Sequence, residues 1–212
     1  MSTRSVVEIK TTLGRIALYR HMDGYPAVGG ATLVEGIRAL YPRNKWDAYQ
    51  ENRAAGERLV SWLLALRYPE TAVSKNRPIY EITTRAEDHG DLEWVYRLDD
   101  VVGPACWRVG IAARNENDWR LLGQGPNSRG WLLFPGWRAA TRDLLWLVDV
   151  VNRHRRECNQ RIEEMRREAR ALPGAPPGAS GRPAHYEMLP TPGDGCWPDI
   201  DAQAEMAQKS DD

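Results

Sequence analysis

Cysteine is scarce in this sequence, whose 212 residues include only Cys106, Cys158 and Cys196. An odd number of widely separated cysteines, with no CxxC pair, argues against a disulfide framework and against a structural zinc site. The four histidines are equally scattered along the chain. We therefore predict a protein that holds no metal and no cofactor, and that has no convergent set of catalytic side chains.

Long apolar segments are also missing. The richest apolar run, LLWLVDVV at positions 144–151, is broken by Asp149 and is far shorter than the roughly 18 residues of a membrane-spanning helix. The first residues, MSTRSVVEIK, lack the apolar core of a signal peptide. These features predict a reduced, cytoplasmic protein that does not enter a membrane.

An excess of charge of either sign is absent, since 29 basic residues balance 29 acidic residues. A chain without net charge has no overall field that attracts nucleic acid or a membrane surface. Phenylalanine occurs once, whereas tryptophan occurs nine times and tyrosine eight times. Because both of these side chains combine a large apolar area with a polar group, their surplus is typical of half-buried faces and interfaces.

Residues 1–135 are predicted to form an α+β domain. Alternation of apolar and polar residues in SVVEIKTTLGRIALYRH indicates an N-terminal β-hairpin that turns at Leu13-Gly14. Two helices follow, over 30–41 and 45–68, where apolar residues recur every three or four positions and a proline ends each run. An antiparallel β region comes next. In it RPIYEITTR and LEWVYRLDD flank a turn, CWRVGIAAR follows, and DWRLLG adds a short strand.

A long amphipathic helix is predicted over 136–172. Its apolar positions alternate steps of three and four, and they form a heptad stripe that first packs on the domain and then continues as an exposed helix or a modest coiled coil. This stripe is a candidate surface for a protein partner or for a homodimer through the helix. The helix-pairing candidates are Val148, Val151, Cys158, Ile162 and Met165.

The last segment, 173–212, is dominated by proline, glycine and alanine, which bury too little apolar surface to offset the entropy of ordering. It has two basic and seven acidic residues, a net charge of 2 − 7 = −5. The helical region 138–172 has nine arginines and six acidic residues, a net charge of 9 − 6 = +3. We therefore predict a disordered acidic tail that can fold back loosely on the basic helix.

The segment LYRHMDGYPAVGG, residues 18–30, combines a cation, an imidazole and a carboxylate with a turn rich in glycine and proline. It resembles the Tyr-Arg-His-x-Asp-Gly-Tyr-Pro box near the N-terminus of short, largely uncharacterised proteins from phages, prophages and bacteria. The matching residues are Tyr19, Arg20, His21, Asp23, Gly24, Tyr25 and Pro26, with Met22 in the variable position. The resemblance extends over about 6–100, and it implies a mobile-element setting without a specific activity.

Three interpretations of this box follow from its residues. In the first, the box is a turn between strand and helix, where Gly24 accepts a positive φ and Arg20 pairs with Asp23. In the second, it is an exposed recognition loop formed by Arg20, His21, Asp23 and Tyr25. In the third, it is the centre of a small enzyme, in which Asp23 orients His21 as a general acid or base.

Arginine dominates the second half of the predicted helix. The candidates for phosphate contact are Arg153, Arg155, Arg156, Arg161, Arg166 and Arg167. Glutamates interleave with them at steps of three or four, which is more typical of a solvated, self-paired helix face.

Taken together, these patterns favour a non-enzymatic, protein-binding accessory factor, and the resemblance of the box implies that a phage or mobile element encodes it. Inhibition of a host defence complex is one role that suits such a protein. The alternatives are a DNA- or RNA-binding accessory protein that uses the arginine row and, last, a small enzyme centred on the box.

Overall fold

The computed structural model of the chain describes residues 3–40, 54–69, 76–84, 86, 89–100, 107–122, 136–171 and 185–190. The strands are β1 (Ser5–Thr11), β2 (Gly14–Arg20), β3 (Tyr80–Thr83), β4 (Trp94–Asp100), β5 (Trp107–Ala113) and β6 (Arg138–Asp143). The helices are a π-helical turn (Pro26–Gly30), α1 (Ala31–Leu40), α2 (Ala55–Ala65), α3 (Glu116–Leu122) and α4 (Leu144–Ala171). The predicted α+β fold is confirmed.

All six strands belong to one mixed sheet in the order β3-β2-β1-β4-β5-β6. β1 and β2 form the predicted hairpin, in which Val7 lies opposite Leu18 and Ile9 opposite Ile16. The central pair, β1 and β4, is parallel, whereas the other four neighbouring pairs are antiparallel. The sheet is therefore mixed, and its antiparallel region includes β4, β5 and β6.

β3 and β4 do not form the hairpin that the turn between them predicts. β3 pairs with β2 at the edge of the sheet, and β4 lies beside β1 at the centre. Burial explains the difference, because Trp94, Val95 and Tyr96 are buried on both faces of β4 and require a central position. Ile82 of β3 is 69% exposed, which suits an edge strand. Turn residues identify a loop, but they do not specify which strands pair.

The main hydrophobic core lies between one face of the sheet and the helices. Its largest fully buried side chains include Trp94, Tyr80 and Tyr96. A smaller apolar cluster that includes Val95 lies on the opposite face. Glu8 is also buried on that face, and Arg97 Nε donates to its Oε2 at 2.8 Å. This bond offsets the cost of burying the carboxylate.

The two helices predicted after the hairpin are present where the chain is described. α1 is described as far as Leu40, and position 41, the predicted limit, lies outside the described residues. α2 occupies the second part of the region predicted over 45–68, and positions 45–53 lie outside the described residues. The two helices approach closely at Gly36, where a Cβ atom would lie 2.7 Å from the ring of Trp62.

α3 replaces the short strand predicted from DWRLLG. Leu121 and Leu122 are buried, and Trp119 Nε1 donates to Ala113 O at 3.0 Å. Asn115 O accepts the N–H of Asp118 at 3.0 Å, at the start of the helix. A short apolar run does not distinguish a strand from two helical turns, and here tertiary packing decides.

The long helix begins at Leu144 and not at 136, because residues 138–143 form β6 and pair with β5. Asp143 is its N-cap, since Asp143 Oδ1 accepts the N–H of Trp146 at 2.9 Å. The first half of α4 packs in the main core through Leu144, Leu147, Val148, Val150 and Val151. α4, like every other helix in the described ranges, lacks the apolar length needed to cross a bilayer.

Candidate functional site

Arg20, the first recognition candidate of the box, is 3% exposed. Its Nε donates to Met22 O at 2.7 Å, and its Nη1 donates to Tyr80 Oη at 2.9 Å and to Thr32 Oγ1 at 3.3 Å. These bonds join the end of β2 to β3 and α1, and they take the place of the predicted ion pair with Asp23. Arg20 therefore stabilises the fold and is buried away from any contact surface.

The turn after β2 inverts the predicted roles of Asp23 and Gly24. Asp23 adopts the left-handed conformation with φ 56°, and it is exposed. Gly24 is required for a close approach instead, because a Cβ atom there would lie 2.6 Å from Ser5 Oγ. Gly24 N–H donates to Thr3 O, and Gly24 O accepts the hydroxyl of Tyr96, both at 2.9 Å. The box is thus a turn fastened against β1 and β4.

His21 is the exposed imidazole of the box. Its Nε2 lies 3.3 Å from Glu81 Oε2 of β3, and its ring packs edge-on against Tyr19, with centroids 4.6 Å apart. An exposed pair of this kind contributes little to stability. His21 and Asp23 are therefore the box residues whose side chains are accessible to a partner.

Tyr25, the remaining candidate of the box, lies against α4. The backbone N–H of Ala27 donates to His154 Nδ1 at 3.1 Å, which places the proton of the neutral imidazole on Nε2. That nitrogen lies 4.0 Å from Cys158 Sγ. Tyr25 meets the His154 ring edge-on, with centroids 5.4 Å apart, and Tyr25 Oη lies 2.9 Å from Tyr186 Oη. We call this group of Tyr25, His154, Cys158 and Tyr186 the Tyr25 cluster.

Burial sets the protonation of the Tyr25 cluster. It lowers the pKa of His154 to about 4, and it raises the pKa of Cys158 above its usual value. Burial also raises the pKa of Tyr25, with a further contribution from the bond to Tyr186. At neutral pH the histidine, cysteine and first tyrosine are uncharged. The cluster therefore does not contain the thiolate–imidazolium pair of a cysteine nucleophile.

The sequence does not predict this cluster. The part of the cluster that is visible in the sequence is the four-residue spacing of His154 and Cys158, which places both on one helix face. Tyr25 and Tyr186 come from distant segments, and no periodicity links them to the helix. Across the described ranges, no group of three or more His, Cys, Asp and Glu side chains is placed to hold a metal ion.

Residues 185–190, which we call the strap, lie along α4. Asn159 bonds twice to Tyr186, because its Nδ2 donates to the backbone O at 3.0 Å and its Oδ1 accepts the N–H at 2.9 Å. Asn152 bonds in the same way to Leu189, at 3.0 and 2.8 Å. The remainder of the segment predicted as a disordered tail, 173–184 and 191–212, lies outside the described residues.

Arg155 connects the box to the strap. Its Nε donates to Ala27 O at 3.0 Å, and its Nη1 donates to Glu187 O. Both acceptors are backbone carbonyls, so the guanidinium joins two chain segments without forming an ion pair in these bonds. This arginine, predicted to contact phosphate, has a structural role in the described conformation.

Two more of the predicted arginines are engaged within α4 and the strap. Arg153 Nε lies 3.0 Å from Asp149 Oδ2, one helical turn away. Arg166 forms an ion pair with Glu163, and His185 Nε2 lies 2.8 Å from Arg166 Nη1. Of the arginines predicted to contact phosphate, Arg156, Arg161 and Arg167 are exposed on the surface of α4.

The helix-pairing candidates divide between core and surface. Val148 and Val151 lie in the main core, so pairing through them would require the core to open. Ile162 is buried and Cys158 is partly buried in the Tyr25 cluster. Met165 is 57% exposed, and it lies in residues 159–171, which we call the outer half of α4. The predicted stripe is therefore available to another chain at its far end.

Comparison with known proteins finds no family model, no curated protein and no solved structure that matches this chain.

Proposed function

We propose that this chain is a non-enzymatic accessory factor that binds another protein, and that the outer half of α4 is its contact surface. α4 has 28 residues, which corresponds to a length of about 42 Å at 1.5 Å per residue. Its first half is fixed in the core, whereas its outer half carries the exposed Met165. The observation that carries the proposal is this continuation of one helix from the core to an exposed apolar position.

The surroundings of Met165 suit a protein partner. Methionine is flexible and polarisable, so it adapts to partner surfaces of different shape. Arg161 lies four positions before it and Glu168 three positions after it, so that exposed charges of both signs flank an apolar centre on the same helix face. An apolar centre with a polar rim is the usual composition of a protein–protein interface.

The proposed setting is a phage or another mobile element. The resemblance of residues 19–26 to the box of phage and prophage proteins supports this setting. A chain with no net charge, many tryptophans and an exposed helix end suits an inhibitor of a host defence complex, which acts by binding and not by chemistry.

The enzyme alternative has less support. Arg20 is buried and bonded within the fold, so the box does not present its three predicted polar groups together. In the Tyr25 cluster, burial lowers the pKa of His154 and raises the pKa of Cys158, and both changes oppose a reactive thiolate.

The nucleic-acid alternative is supported by three arginines. Arg156, Arg161 and Arg167 are exposed, and an exposed guanidinium can contact phosphate. The glutamates between them weaken the local positive field, so we rank this alternative second.

Capture of the partner from the native host tests the proposal. We expect the tagged native chain to retain a host protein in a stable complex on size-exclusion chromatography, and we expect Met165→Asp to lose it. Leu13→Asp is the matched control, because Leu13 is 91% exposed and lies in the turn between β1 and β2, outside α4. Equal capture by Met165→Asp and the native chain, with unchanged helix content by circular dichroism, would contradict the proposed surface.

A further inference from the structure

The strap is held on α4 mainly through its backbone. Asn152 and Asn159 each accept the N–H and donate to the C=O of one strap residue, Leu189 and Tyr186 respectively. A carboxamide used in this way offers the same donor and acceptor as a peptide group of a neighbouring β-strand. Because these four bonds involve no strap side chain, they are available to any chain that follows the same path.

The spacing of the two asparagines matches that of an extended chain. They are 159 − 152 = 7 residues apart, which is a rise of about 10.5 Å along the helix. Tyr186 and Leu189 are three residues apart, which is about 10 Å in an extended chain. Arg155 lies between the asparagines and donates to the carbonyl of residue 187. The spacing of the bonding side chains on this face of α4 therefore matches the spacing of backbone groups in an extended peptide.

Two strap side chains enter the fold, and the two between them remain outside. Leu189 is 6% exposed and belongs to the main core, and Tyr186 Oη lies 2.9 Å from Tyr25 Oη. Glu187 and Met188 are exposed. A chain that replaced the strap would therefore need a tyrosine, then two residues of almost any type, then an aliphatic residue.

We propose that the face of α4 formed by Asn152, Arg155 and Asn159 is a binding site for an extended Tyr-x-x-Leu peptide of a partner protein. The strap is an internal ligand that competes for this site. The inference rests on the proposed protein-binding function, and it names the chemistry of the partner segment. A ligand tethered to the same chain competes at an effective concentration on the order of millimolar. A free peptide therefore binds weakly unless the strap is weakened.

The test uses the full chain and a fluorescein-labelled peptide with the sequence of residues 185–190, HYEMLP, followed by fluorescence anisotropy. The strap variant combines Tyr186→Ser with Leu189→Ser and leaves the residues of α4 unchanged. We expect the peptide to bind the strap variant about tenfold or more tightly than it binds the native chain, because the competitor is removed. A peptide in which aspartate replaces the leucine is the negative control, and it should not bind.

Adding Asn152→Ala and Asn159→Ala to the strap variant should abolish peptide binding, because the four backbone bonds are lost. No binding to a folded strap variant, or undiminished binding after loss of both asparagines, overturns the proposal. Neither result alters the Met165-dependent capture of a host protein, so the two proposals fail independently.

The native chain provides a second test if the strap variant does not fold. Hydrogen exchange at the amides of Tyr186 and Leu189, followed by NMR, should accelerate when HYEMLP peptide is added at about 10 mM, above the effective concentration of the strap, and displaces the strap. The aspartate-containing peptide should have no effect. Exchange rates that remain unchanged with the first peptide overturn the proposal.

Discussion

The backbone N–H of Ala27 donates to Nδ1 of His154, and this bond fastens the turn after the box to the long helix across 127 positions of the sequence. Nδ1 accepts this bond only while the ring is neutral, because both ring nitrogens carry protons in the imidazolium form. Protonation of His154 therefore breaks the bond and also places a charge in a largely buried site.

We expect the free energy of unfolding to decrease as the pH falls from about 6.5 to about 4. Burial lowers the pKa of His154 in the folded chain to about 4, from an ordinary value of 6.5. Between these values the unfolded chain binds a proton that the folded chain does not bind, so acid favours unfolding. The neutral His154 makes its full contribution to the free energy of unfolding above pH 6.5, and that contribution is about 3 kcal/mol at most. Urea denaturation at a series of pH values measures it.

His154→Asn is the control for this titration. The asparagine side chain has an oxygen that can accept the Ala27 N–H, and it does not titrate in this range. Because other titrating groups are common to both proteins, the difference between their free energies of unfolding isolates the histidine. Parallel curves for the two proteins between pH 7 and 4 would contradict the lowered pKa.

Gly24→Ala should lower the free energy of unfolding by about 1–3 kcal/mol, because an inserted methyl group has no space. The added Cβ would lie 2.6 Å from Ser5 Oγ and 2.8 Å from Ser5 N, and the backbone atom cannot move aside easily. Gly90→Ala is the matched control, since nothing lies within 4 Å of its Cβ position. Thermal unfolding of both variants measures the difference, and equal stability would show that the turn is not packed as described.

Local patterns predicted the elements whose own side chains determine them. The alternation of Val7 and Ile9 with polar residues identified β1, and the helical spacing of Leu33 and Ile37 identified α1. The parallel pairing of β1 with β4 depends instead on burial of β4 from both faces. A short stretch of sequence does not reveal such burial. The predicted start of α4 is too early, because the heptad spacing of its apolar positions extends by chance to positions 137 and 141, and residues 138–143 form β6.

The candidate site was less predictable because it forms from three distant segments. The seven-residue spacing of Asn152 and Asn159 is visible in the sequence, but its meaning depends on Leu189 and Tyr186. The composition of the tail predicted disorder, and composition does not reveal that one short stretch within it supplies a leucine to the core. Contacts of this kind follow from the fold and not from local propensity.

The arginine row should not bind nucleic acid if the protein-binding proposal is correct. Replacing the exposed residues Arg156, Arg161 and Arg167 with alanine tests this, because Arg155 supports the box and the strap and its loss would confuse the result. We expect little salt-dependent retention of the native chain on heparin, and little change in the triple variant. Strong retention that falls with salt, and that the triple variant loses, would favour the nucleic-acid alternative.

Alkylation of Cys158 by iodoacetamide should be slow at neutral pH and should accelerate only at alkaline pH. The thiolate is the reactive form, and burial raises the pKa of this thiol above its usual value. The neutral His154 beside it cannot stabilise a thiolate by charge, since its own pKa is lowered to about 4. Peptide mapping by mass spectrometry separates this site from Cys106 and Cys196, and the urea-unfolded chain is the reference. Rapid alkylation of folded Cys158 near pH 6 would show a thiolate–imidazolium pair and would revive the enzyme alternative.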